Sequence, residues 1–196
     1  MAEMMEPPGP WPSHLNKVLL IGTGAVAVSL LPGWVSLLRA WYNVEIKVVL
    51  SYTAARMVSP AVLSAVSSNE VHYPGRQVDA VGVEHRALSE WPDLVIVAPA
   101  TAHYITRLAQ GCLADSALYI PVLTEAPVVV APSLPERVCT YPPVRTAIAE
   151  MQEFGFHVAK SPGPAISVHN STIETGGLLN IVELISFVYM RFGDGG

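Results

Sequence analysis

Cysteine, charge and basic clusters are all scarce in this chain. Its 196 residues hold only Cys112 and Cys139, too few for a disulfide framework. No CxxC or HxxxH spacing occurs, so no structural zinc site or other metal is expected. Charged residues make up 14% of the chain and the net charge is −5. With no run of Lys and Arg to neutralise phosphates, a nucleic-acid partner is excluded. The first residues set Glu3 and Glu6 among Pro7, Pro8, Pro10 and Pro12. A secretion signal needs positive charge and then an apolar run. Residues 1–14 are therefore expected to be a disordered tail, ahead of a single domain over 15–196, and the protein to be cytoplasmic.

Long uninterrupted hydrophobic segments are missing as well. Val18 to Leu38 is free of charge and long enough to cross a bilayer, yet Gly22, Gly24, Pro32 and Gly33 break it. It reads as strand, turn and helix, and no membrane partner is expected. What the chain does have is apolar content: 51% of its residues are hydrophobic. Such a composition suits a parallel sheet buried on both faces, or large subunit interfaces.

Strands are predicted over 17–21, 44–50, 94–98 and 126–131, with a short edge strand over 157–159. Helices are predicted over 26–41, 54–66, 102–110, 142–154 and 178–191. Pro32 marks a kink or an early start in the first of these. A short helix precedes the strand at 94. Residues 69–83 are expected to be loop and 160–177 a long flexible segment. Alternating strands and helices imply an α/β fold with parallel pairing. Any ligand should then lie beyond the carboxyl ends of the strands.

Three polar turns fall at that edge. Gly22-Thr23-Gly24-Ala25-Val26-Ala27 matches GxGxxA in form. A nicotinamide site would also want a carboxylate after the second strand. That position reads Ser51-Tyr52-Thr53 instead, and hydroxyls suit a phosphate. Pro99-Ala100-Thr101-Ala102 adds a third turn with free amides at a helix start. Two readings stay open: a mononucleotide phosphate pocket, or Ser and Thr simply capping helices. Among the six histidines, His85 is placed near the presumed ligand edge, just ahead of the strand at 94. Its ordinary pKa near 6.5 suits it to take a proton from a thiol or acid. His103 opens a helix in the third turn and could touch cofactor or substrate. Arg137 follows the fourth strand, where a carboxylate partner or plain solvent exposure would each fit.

These residues together resemble the homo-oligomeric flavin-containing cysteine decarboxylases, from about Lys17 to Arg191. That family includes the peptidyl-cysteine decarboxylases of lanthipeptide-type biosynthesis and phosphopantothenoylcysteine decarboxylase. The resemblance is strongest from His85 to Ala117. There the family has an active-site His, a strand and Pro-Ala-Ser/Thr-Ala-Asn-Thr; here the motif reads Pro99-Ala100-Thr101-Ala102-His103-Tyr104. The resemblance implies a three-layer flavodoxin-like (Rossmann-like) fold. It implies FMN, with FAD possible, held by Gly22, Thr23, Gly24, Ala25, Val26, Ser51, Thr53, Pro99, Ala100, Thr101 and His103. It also implies a homotrimer, or a homododecamer of trimers, with the flavin at a subunit interface and His85 as the catalytic residue.

The family's substrate motif Pro-x-Met-Asn-x-x-Met-Trp becomes Pro132-Ser133-Leu134-Pro135-Glu136-Arg137-Val138-Cys139. Pro132, Leu134 and Arg137 are carried over as substrate residues. Pro135 and His103 stand where the family has asparagines, which suggests a divergent member with Arg137 or His103 recognising a carboxylate. In the shared chemistry the flavin takes hydride from the cysteine β-carbon and CO2 then leaves. The coenzyme A branch adds a cysteine in its C-terminal lid, and 160–180 here contains none. The resemblance therefore favours a decarboxylase that stops at the enethiol of a Cys-terminated precursor peptide, as for an aminovinyl-cysteine ring, with 160–177 as the clamp over the peptide. Phosphopantothenoylcysteine decarboxylase, a non-catalytic flavin-binding regulatory subunit and a flavin prenyltransferase are the alternatives.

Overall fold

The computed structural model describes residues 6–75, 84–159, 164–166 and 173–193. Six strands form one parallel sheet: β1 (Lys17–Gly22), β2 (Glu45–Leu50), β3 (Val71–His72), β4 (Leu94–Ala100), β5 (Val128–Pro132) and β6 (His157–Val158). Their order is β3-β2-β1-β4-β5-β6, and every neighbouring pair is parallel. The apolar runs in the sequence have a direct cause. β4 is buried at all its positions and β1 from Val18 onward, so neither needs a polar face.

Side chains alternate across the sheet and feed two cores. Leu20, Ile46, Val48, Ile96 and Val129 face one layer, built from α1 (Leu31–Tyr42), α2 (Pro60–Ser67) and α8 (Ile181–Phe192). Leu19, Ile21, Val49, Val95, Val97 and Val130 face the other. That layer holds α3 (Glu84–Glu90), α4 (Ala102–Ala109), α5 (Ser116–Leu123) and α7 (Pro142–Glu153). A short helix α6 (Glu136–Cys139) lies between β5 and α7. The result is a three-layer α/β/α fold of flavodoxin or Rossmann type. Each fully buried Leu, Ile or Val stabilises it by about 1.5–3 kcal/mol.

The structure departs from the sequence expectations in several places. The helix expected over 26–41 is a 3₁₀ turn (Val26–Leu30) followed by α1, with Pro32 in the first turn, where its missing N–H costs nothing. The helix expected over 54–66 is likewise divided. A 3₁₀ turn (Ala54–Arg56) precedes α2, which starts where the Ser59 hydroxyl accepts from the Val62 N–H. Residues 69–83 are not all loop, because β3 pairs with Val48 and Val49 of β2. Helices α5 and α6 were not anticipated.

Within 160–177 the described residues form an antiparallel pair, β7 (Pro164–Ile166) with β8 (Ile173–Thr175). Its end is seated on the loop after β5. Gly176 bridges Pro135, and the Gly177 N–H donates to the Leu134 carbonyl at 2.9 Å. The clamp expected there otherwise lies outside the described residues. Near the N-terminus, the chain packs on α1 from Gly9 onward. Trp11 stacks on Tyr42 at 5.5 Å, and the Tyr42 hydroxyl donates to the Gly9 carbonyl at 2.8 Å. Burial raises the Tyr42 pKa, partly offset by that bond. Among the described residues, no helix is long and apolar enough to cross a membrane.

Candidate active site

Strand order reverses between β1 and β4, which opens a crevice at the carboxyl ends of these two strands. The turns after β1, β2 and β4 meet there. Thr23 is 2% exposed and ties two of them together. Its hydroxyl donates to the Pro99 carbonyl at 2.6 Å and accepts from the Thr101 N–H at 3.0 Å. The Thr23 N–H also donates to Pro99 at 3.2 Å. This hydroxyl is therefore committed within the protein and is not offered to a phosphate. Gly24 joins the second pair of turns. A Cβ on it would lie 2.6 and 2.7 Å from Cγ2 and Cβ of Thr53, so only glycine lets the turns approach this closely.

The other hydroxyls divide between the two readings left open by the sequence. Ser51 accepts from the Ala54 N–H at 3.3 Å, and Thr101 caps α4 by accepting from the Tyr104 N–H at 3.2 Å. Thr101 is thus a helix cap, and Ser51 is spent on the turn that leads into Ala54. Thr53 is exposed and makes no capping bond. The 3₁₀ turn at Val26 starts from Ala25, which has no side chain to cap it. Its first amides, on Val26 and Ala27, therefore have no side-chain capping acceptor, as an anion site requires. Exposed Val26 and Tyr52 add an apolar rim beside them. Such a set of donors and rim fits a phosphate-bearing planar cofactor. Pro99 and Ala100 are buried strand residues that frame the crevice through their carbonyls. The Ser133 N–H donates to Ala100 at 2.9 Å and brings the loop after β5 alongside.

His103 is exposed on the first turn of α4, with Nε2 3.5 Å from the Arg107 guanidinium. Pro132 at the end of β5 and Leu134 in the loop after it are buried, and Leu134 packs in the core. The Leu134 side chain thus belongs to the core, and its backbone carbonyl holds Gly177. Arg137 is exposed on α6.

His85 is not at this crevice. It lines a hollow with Ser89, Pro92, Asp93, Tyr119, Glu125 and Ala126. Pro92 and Asp93 precede β4, and Glu125 and Ala126 precede β5, so the hollow opens towards the amino ends of the strands. The expectation of a His near the ligand edge is corrected for a single chain. The reason is length. The seven residues of α3 rise only about 10 Å, whereas the seven of β4 span about 23 Å. His85 meets Tyr119 of α5 edge to face, with ring centroids 5.3 Å apart and planes at 86°.

Sequence reasoning missed α5 and hence Tyr119. Pro121 lies inside that helix and removes the N–H that the Ala117 carbonyl would otherwise receive. The Tyr104 hydroxyl takes its place, donating to Ala117 at 2.7 Å. Burial, then the nearby Asp115 charge, raises the Tyr104 pKa. The available signal was Asp115, which caps α5 by accepting from the Leu118 N–H at 3.1 Å. No cluster of His, Cys, Asp and Glu able to hold a metal ion occurs among the described residues.

Known proteins match this chain at three levels. The family model described as Flavoprotein matches residues 12–193. The coenzyme A biosynthesis bifunctional protein CoaBC of Bacillus subtilis is 33% identical over 143 residues, 72% of this chain and 35% of that protein. The chain thus spans about a third of the length of this curated relative. Among solved structures, the FMN-dependent cysteine decarboxylase SpaF superposes with a TM-score of 0.76, covering 91% of this chain and 98% of its own at 22% identity. TvaF, an FMN-dependent cysteine decarboxylase from thioviridamide biosynthesis, gives 0.70, covering 74% and 89% at 26% identity.

Proposed function

Since the chain belongs to the flavoprotein family, we propose that it is a flavin-dependent decarboxylase of the C-terminal cysteine of a precursor peptide, forming an enethiol. The observation that carries the flavin is the crevice at β1 and β4. There the turn with the uncapped amides of Val26 and Ala27 packs through Gly24 against the turn of exposed Thr53, with Val26 and Tyr52 exposed alongside. FMN is the form named for the similar cysteine decarboxylases, and we take it as the cofactor.

A bound flavin supplies the two-electron acceptor that oxidation of the cysteine side chain requires. The chain's own residues do the rest. The amides of the first turn hold the phosphate, and Gly24 keeps the turns close enough to share it. His85 takes the thiol proton. Arg137, two residues past the Pro135 that replaces one motif asparagine, and His103, which replaces the other, hold the cysteine carboxylate until it leaves as CO2. Gly176 and Gly177 seat the β7–β8 pair on the loop after β5, beside the residues carried over as substrate contacts.

His85 lies away from the crevice of its own chain, so the reading requires an assembly. We place the flavin between subunits of a homotrimer, or of a dodecamer built from trimers, with one subunit's His85 serving its neighbour's crevice. A second reading is phosphopantothenoylcysteine decarboxylase, favoured by the 33% identity to CoaBC. The absence of cysteine from 160–180 weighs against it.

The test offers the purified protein both a synthetic Cys-terminated peptide and phosphopantothenoylcysteine, with products weighed by mass spectrometry. The protein should be yellow, and the peptide should lose CO2 and two hydrogens. His85→Asn should retain flavin and lose turnover. Mixing His85→Asn with a crevice variant should restore part of the activity in mixed oligomers. A colourless protein that takes up no flavin would defeat the reading. Turnover of phosphopantothenoylcysteine alone would replace it by the second.

A further inference from the structure

We infer that Tyr119 is the positioning residue that aims His85; the inference rests on the decarboxylase reading and deepens it. A proton-transfer imidazole has two requirements that pull against each other. Its nitrogens must stay available to substrate, yet its ring must hold one direction. His85 is half-buried at the start of a seven-residue helix. Among the described residues, no hydrogen bond to either of its ring nitrogens is present. What constrains the ring is the edge-to-face contact with Tyr119, at 5.3 Å and 86°. That geometry suits the charge distribution of two aromatic rings and occupies neither nitrogen lone pair.

Tyr119 is itself well placed to give direction. It is 37% exposed, yet its helix is fixed at the first turn by two independent bonds. Asp115 caps the backbone of α5, and Tyr104 of α4 holds the Ala117 carbonyl. Helix α4 starts from Thr101, whose N–H is bound by Thr23 of the first turn. A continuous path of bonded groups thus runs from the crevice turns through α4 and α5 to the ring beneath His85. Arg86 and Glu90, the other charged side chains of α3 at this hollow, pair with each other at 2.8 Å and leave the imidazole to Tyr119.

The test uses the whole protein with flavin bound and a synthetic Cys-terminated peptide as probe. Two variants are compared, Tyr119→Leu and Tyr119→Phe. NMR of histidine-labelled protein, with His85 assigned through His85→Asn, reads the ring-current shift of the imidazole protons. We expect Tyr119→Leu to abolish that shift and to lower kcat by about tenfold or more with KM and flavin content unchanged, the scale of effect that misplacing a catalytic group produces. Tyr119→Phe should restore both the shift and the rate. A Leu variant as fast as wild type beside an inactive His85→Asn would overturn the positioning role and leave the decarboxylase reading standing. A fully active His85→Asn would overturn the assignment of His85 and the positioning role with it. Loss of rate in Tyr119→Phe equal to that in Tyr119→Leu would also overturn it, since the phenol and not the ring would then matter.

Discussion

The two ends of the sheet are built differently. At the carboxyl end, the three turns and the loop after β5 are bound to one another by the Thr23 hydroxyl and the Ser51 and Ser133 N–H groups. At the amino end, His85 stands in an open hollow and is held by a single ring contact. One end is a rigid cradle whose side chains are largely spent on the protein itself. At the other, Asp93 accepts the Asn16 and Lys17 amides, the Ser89 hydroxyl donates to the Arg86 carbonyl and Arg86 pairs with Glu90, while neither ring nitrogen of His85 is bonded among the described residues. Rigidity is where a cofactor would be gripped, and openness is where a proton would move. In a single chain the two do not face each other.

That contrast can be broken from either side. The largest effect is expected from Gly24→Val, which forces the first and second turns apart. It should destabilise the protein by about 3 kcal/mol and empty the crevice of flavin, read by urea denaturation and absorbance, while the His85 ring shift persists. Thr23→Val removes a buried hydroxyl that serves two partners and strands the Thr101 N–H. A loss of about 2 kcal/mol is expected, with weaker flavin binding; Thr23→Ser should recover most of both. Tyr104→Phe acts from the opposite side. It leaves the Ala117 carbonyl without the donor that replaces the one Pro121 lacks, at a cost of about 1 kcal/mol. Flavin content should hold while the His85 ring signals broaden or shift. Equal flavin loss in Tyr104→Phe and Gly24→Val would show that the two ends are one unit.

The smallest effect lies at a site belonging to neither end. His157 of β6 rests edge to face on Phe192 at 4.9 Å. Burial, then the Arg191 charge, holds its pKa below the ordinary 6.5. The unfolded chain therefore takes up this proton first as pH falls. The site's contribution to stability is complete above pH 6.5 and is lost progressively below it. Denaturation midpoints of wild type and His157→Leu should converge as pH drops from 7.5 towards 5.5. Parallel midpoints would remove His157 from the acid response.

Much of this was written in the sequence, and the misses have physical causes. β1, β2, β4 and β5 were legible because strands buried on both faces are apolar over most of their length, with Lys17, Glu45 and Lys47 confined to the amino-terminal halves of β1 and β2. β3 was not, since two residues carry no periodicity. Helix α5 was hidden by Pro121, whose missing donor is made good by a tyrosine from another helix. The crevice turns were legible as turns, but not the division of labour within them. Thr23 and Thr53 look alike in sequence, and only packing decides that one binds the protein and the other faces outward. His85 was misplaced because sequence distance to a strand does not say how far a short helix climbs beside it.

The seat of the β7–β8 pair carries a consequence for exchange between relatives. Gly176 has φ of 103°, and a Cβ on it would lie 2.4 Å from the Leu134 carbonyl oxygen. No other residue satisfies both conditions. The β7–β8 pair is therefore joined to the loop at Leu134 through an obligatory glycine. A chimera that imports a foreign pair should fold only where position 176 keeps its glycine and the loop at Leu134 stays native.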